Sequence, residues 1–126
     1  MWPGSKCRQM FPAGHAILCP MTRIETLGAD LQAEFGGHLA EDVQTRAMML
    51  ASEVGELMKE VVKATGYGTR AFAATPGFRD ELGDVMADLA LLAEAAGVDL
   101  GRCAESTVAK MRLRLAAHGS VGSQTR

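Results

Sequence analysis

The sequence is poor in the residues that many functional classes require. Cysteine occurs three times in 126 residues, at 7, 19 and 103, an odd number without C-x-x-C spacing. That excludes a disulfide framework and a cysteine zinc site, and leaves reduced thiols as the expectation. Histidines 15, 38 and 118 are scattered, and none follows a glutamate by three residues as the E-x-x-H motif of di-iron bundles requires. Aromatic residues make up only 5% of the chain. There is no basic excess either: the net charge is −2, so no stable nucleic-acid partner is expected, and a phosphate ligand must be met locally or through metal ions. No apolar run approaches the roughly 20 residues needed to cross a bilayer, so no membrane partner and a cytoplasmic location are expected.

What is present is an ordinary globular composition, 48% hydrophobic and 22% charged, enough for one domain with a core. Residues 1–20 hold three of the four prolines and show no sustained periodicity; their "AIL" is too short for a signal-peptide core. We expect a tail there, a working domain over 21–118, and a second short tail over 119–126. Thr22-x-x-Glu25 has the form of a capping box opening a first helix, which Gly36-Gly37 ends. A second helix is expected from about Leu39 to Thr65, stopped by "GYG" at 66–68. Thr75 and Pro76 open a third that ends at Gly97, and Asp99 caps a fourth running to about His118. The fold class is therefore all-α, a four-helix chain forming a bundle. Because helix two also carries Met48, Met58 and Val62, and helix three Met86 and Ala90, to the side of their main stripes, a second copy is expected to cover them and complete the bundle.

The chemistry concentrates in two segments. "ASEVGELMKEVV" (51–62) carries Glu53, Glu56 and Glu60, and "DELGDVMADLAL" (80–91) carries Glu81, Asp84 and Asp88 at the same spacing, 28 residues on. At about 100° per residue each triplet spans roughly 60° of its helix, beside an apolar stripe of Leu50, Val54, Leu57 and Val61 or of Leu82, Val85, Leu89 and Leu92. Antiparallel packing of the stripes brings both acidic rows to one edge. Carboxylates gathered there repel unless cations lie between them, and a set of Asp and Glu without His or Cys suits magnesium. A single E-x-x-E is usually a solvated helix face; two in matching register are more specific. Gly55 and Gly83, repeated at the same offset, read either as tolerated glycines or as points of close helix approach.

These residues resemble the MazG-like, all-α nucleoside triphosphate pyrophosphohydrolases, whose signature pairs E-x-x-E on one helix with E-x-x-D on the next. Here the motifs are "EVGE" (53–56) and "ELGD" (81–84), flanked by "GELMKEVVKATGYG" and "GVDL", so the likeness spans roughly 22–115. The resemblance implies that Glu53, Glu56, Glu81 and Asp84 bind Mg2+, with Mn2+ as a substitute, and that a nucleoside triphosphate is split into monophosphate and pyrophosphate, with nucleotide-pool house-cleaning as the role. It also implies a homodimer or a dimer of dimers. Ser52 departs from the family, many of whose members carry a further glutamate there; this bears on the number of metals.

Glu53 or Glu56 is the candidate base. Lys110 and Arg114 on the last helix, together with Lys63, are candidates for phosphate, Tyr67 for stacking on the base, and Asp88 and Glu60 for orienting groups behind the ligands. A phosphoribosyl-ATP pyrophosphohydrolase shares the plan, but such proteins carry a histidine where this chain has Asp88. A hydrolase of another phosphorylated compound and a non-catalytic dimerisation module are the remaining readings.

Overall fold

The computed structural model describes residues 23–122. Four α-helices and one short 3-10 turn, with no strand among the described residues, make up the chain: α1 (Ile24–Phe35), the turn Gly36–His38, α2 (Val43–Ala64), α3 (Pro76–Ala95) and α4 (Leu100–His118). The expected tail over 1–20 and Thr22 of the capping box lie outside the described residues. At α1 itself Arg23 occupies the N-cap position and contributes no side-chain cap.

Helix α2 starts at Val43, four residues later than the periodicity suggests. The Asp42 carboxylate accepts from the Thr45 amide at 2.7 Å, satisfying an otherwise orphaned donor and fixing the start there. The expected caps at Thr75, with Pro76 at the first helical position, and at Asp99 are observed: Thr75 Oγ1 accepts from Phe78 N at 3.1 Å and Asp99 Oδ1 from Arg102 N at 3.0 Å. Beyond α2 the chain turns through Gly66, Tyr67 and Gly68, all at positive φ. Arg70 then reaches back, its Nε donating to Ala64 O and its Nη2 to Lys63 O, both at 3.2 Å, so the last carbonyls of α2 gain donors. Phe72 and Phe78 meet edge to face, ring centroids 5.0 Å apart, across the connection into α3.

Helix α3 is the central element, packing on α2 along one side and on α1 along another. The α1 contact is backbone-close: a Cβ on Gly28 would stand 2.5 Å from Ala90 O. Gly55 and Gly83 are not such points, since nothing lies within 4 Å of a Cβ built on either. Ala90, expected beside the main stripe where a second copy would cover it, is instead buried beneath α1 of the same chain.

The core is thin. Leu57, Ala64, Ala90 and Leu91 are its buried apolar residues among those described, while Val54 and Leu82, expected in the main seam, are about two-fifths exposed. Helix α4 meets the rest of the described chain chiefly through α1 and buries none of its residues.

Candidate metal centre and its relatives

Three rungs fix how α2 lies on α3. Near the C-terminal end of α2, Glu60 touches Gly77, whose added Cβ would come 2.5 Å from Glu60 Oε2. One level along, Glu53 stands with Glu81 and Asp84. Two turns before Glu53, Arg46 is the positive charge whose attraction reaches Asp88 on α3. Positions falling on α2 as they rise on α3 define an antiparallel pair, and the seven-residue steps keep each rung on nearly the same helix face.

At the middle rung one carboxylate oxygen from each of Glu53, Glu81 and Asp84 lies within 4.8 Å of the others. Glu53 and Glu81 are half-buried and Asp84 is exposed, so the cluster opens to solvent on the Asp84 side. No lysine or arginine among the described residues forms an ion pair with any of the three. Burial first, then the negative charges of Glu53, Asp84, Glu56 and Glu60, pushes the Glu81 carboxyl above its ordinary range. Unpaired oxygen donors in mutual repulsion form a set that fits a hard divalent cation.

The other expected site residues divide into two groups. Glu56 belongs to the same acidic field but not to the close triplet; it is exposed and bonded to Lys59 at 2.7 Å. Glu60 holds Lys63 at 2.5 Å within the same helix, and the lysine side chain remains more than half exposed. Tyr67, 78% exposed with φ at 58°, borders a shallow depression also lined by Gly55, Glu56, Met58, Lys59, Val62 and Lys63. Lys110 and Arg114 lie on α4, which the chain does not pack along α2.

Asp88 is buried; desolvation raises its pKa, the attraction of Arg46 lowers it in part, and Asp84 adds to the rise. Arg46 escapes a reading based on acidic spacing. It is 1% exposed, and its Nη1 and Nη2 have no hydrogen-bond partner among the described residues. The available signal was its position: seven residues before Glu53, it falls about 20° from that residue, a fixed charge at the edge of an apolar stripe.

A family model described as the MazG nucleotide pyrophosphohydrolase domain matches residues 41–117, a span holding all of α2 and α3 and most of α4. No curated protein and no solved structure matches the chain. With the paired acidic motifs carried on the two helices that this match contains, the chain belongs to the MazG nucleotide pyrophosphohydrolase family.

Proposed function

We propose that the protein is a magnesium-dependent hydrolase that converts a nucleoside or deoxynucleoside triphosphate into the monophosphate and pyrophosphate. The observation that carries this reading is the convergence of Glu53, Glu81 and Asp84 without a basic counter-residue among the described residues, in a chain of this family. A hard divalent cation held there, Mg2+ with Mn2+ as substitute, supplies positive charge for the triphosphate and makes a bound water more acidic.

The protein's own groups have separable tasks. Glu53, Glu81 and Asp84 hold the cation, and Glu56 completes the acidic wall by releasing Lys59 or accepting from solvent. Glu53 or Glu56 takes the proton from the attacking water as its oxygen adds to phosphorus and the α–β anhydride bond breaks, the electron pair leaving on pyrophosphate. Tyr67 offers an exposed ring for the base beside Lys63 and Lys59. Because α4 stands away from α2, contacts of Lys110 and Arg114 with phosphate are assigned to an assembled homodimer or dimer of dimers rather than to the single chain.

Incubation with a panel of nucleoside and deoxynucleoside triphosphates and Mg2+, with pyrophosphate as the readout, tests the reading. Release of pyrophosphate and monophosphate in equal amounts is expected. Release of inorganic phosphate alone, or no turnover of any nucleotide, overturns it.

A further inference from the structure

Arg46 and Asp88 pose a problem that the metal centre does not absorb. A guanidinium keeps its charge at any ordinary pH, and an isolated charge out of water is costly unless an opposite charge compensates it. Arg46 is almost wholly buried with both terminal nitrogens unpartnered among the described residues, and the acid on α3 that its attraction reaches, Asp88, is buried too. No ion pair joins them directly, and the attraction of Arg46 offsets only part of what burial costs the Asp88 carboxylate.

Their place along the seam gives the arrangement a use. Arg46 is two turns from Glu53, and Asp88 is two turns from Glu81 and one from Asp84, so the charged rung lies about 10 Å along the helices from the acidic rung. A rigid helix transmits a slide or a rotation at one rung to the next. Apolar stripes of similar side chains tolerate slippage, whereas a lone positive charge set against a lone negative one has a single favoured register.

We infer that Arg46 and Asp88 form a buried positioning pair that locks the register of α2 on α3, and thereby holds Glu53, Glu81 and Asp84 at the separation a cation requires. The second half of this inference rests on the metal reading given above; the first half does not. Neither residue touches the reacting atoms, so both act through the carboxylates.

The experiment uses the full chain without nucleotide and the variants Arg46→Met, Asp88→Leu, the double variant, and Arg46→Lys. Denaturant unfolding without metal measures the pair, and Mn2+ titration followed by electron paramagnetic resonance measures its consequence. Each single substitution to an apolar residue is expected to lower the folding equilibrium constant by about tenfold or more, with the double variant recovering most of the loss. The folded double variant should nevertheless bind Mn2+ about tenfold more weakly, while Arg46→Lys, which keeps the charge, retains most of the affinity. Additive losses in the unfolding cycle overturn the pair. A double variant that binds Mn2+ within about twofold of the unaltered chain overturns the positioning role. Absence of Mn2+ binding in the unaltered chain overturns the metal reading and the positioning role together, and the unfolding cycle alone then decides whether the pair exists.

Discussion

Gly28 of α1 lies against the backbone of Ala90 in α3, so close that a methyl group on Gly28 would stand 2.5 Å from the Ala90 carbonyl oxygen and 3.2 Å from Glu94 Cβ. The obstacle is main chain within a helix and cannot swing aside. Gly28→Ala should therefore destabilise the protein by about 1–3 kcal/mol, although alanine is the better helix former, because α1 must lift from α3. Chemical denaturation measures it; an unchanged or higher midpoint would show that α1 docks more loosely than its geometry indicates.

The acidic triplet leads to a graded mutational prediction. Glu53→Gln, Glu81→Gln and Asp84→Asn each replace a converging carboxylate by an amide of similar size, and each should reduce turnover by about two orders of magnitude or more while leaving the helical circular dichroism intact. Glu56→Gln separates the two candidate bases: Glu56 lies outside the close triplet and is bonded to Lys59, so a smaller loss assigns the proton transfer to Glu53 and an equal loss assigns it to Glu56. Near-normal turnover of Asp84→Asn at saturating Mg2+ contradicts the assignment of the ligands.

Stability should depend on pH in a direction fixed by two groups. Glu81 is raised above its ordinary 4.5 by burial and by its acidic neighbours, so the folded state holds that proton more tightly. Its contribution is full below 4.5 and is lost as pH rises through the elevated folded value. Asp42 is lowered from 3.8 by its hydrogen bonds from Thr45, so its contribution is present above 3.8 and is lost as pH falls through the depressed value. Without divalent metal the melting temperature should peak in mildly acidic solution and decline toward neutrality. Glu81→Gln should flatten that decline and Mg2+ should reverse it. A metal-free melting temperature that rises steadily from mildly acidic to neutral pH would falsify the repulsive character of the cluster.

Tyr67 stands in the left-handed region, uncommon for a residue with a side chain, and its ring is 78% exposed. A ring held outward on a helix-ending turn is placed to meet a base. Tyr67→Phe should leave KM close to normal, whereas Tyr67→Ala should raise KM by about tenfold with a smaller effect on kcat. Equal KM values for the two variants would remove the ring from substrate recognition.

Local chemistry and the antiparallel pairing of the α2 and α3 stripes were legible in the sequence, whereas what the remaining faces meet was not. Thr75, Pro76 and Asp99 announce helix starts because a cap satisfies amides within three residues of itself, and the same i, i+3 logic places Glu81 beside Asp84. Periodicity states which residues share a face without stating what that face meets. It gave Ala90 to a contact with a second copy rather than to α1, left Gly55 and Gly83 open between tolerance and close approach, and started α2 too early because "LAED" continues the apolar pattern until Asp42 interrupts it. Arg46 was passed over because its significance depends on its burial and on its attraction for Asp88, neither of which the spacing of acids reveals.

A chain of this length should bury a substantial core, yet among the described residues only Leu57, Ala64, Ala90 and Leu91 are buried apolar positions. Met48, Met58 and Val62 on α2 and Leu82 and Met86 on α3 are each 40% exposed or more, and α4 leaves Val108, Leu113 and Leu115 open as well. Apolar surface of this extent on three helices is more than a small monomer ordinarily leaves in water. A second copy is the simplest cover, since twofold dimers are the commonest soluble assemblies and the same faces on both copies would meet. We therefore expect a stable homodimer or a dimer of dimers, with the flanks of α2 and α3 at the contact. Light scattering at micromolar concentration should give at least twice the 13.4 kDa chain mass. Met58→Glu with Met86→Glu should dissociate the assembly and lower its melting temperature, because two charges would enter each buried face. Neither substitution removes a member of the acidic triplet, so dissociation that leaves Mn2+ binding intact would place the metal centre within one chain. A monodisperse monomer with full activity would refute the dimer and return the exposed methionines to solvent.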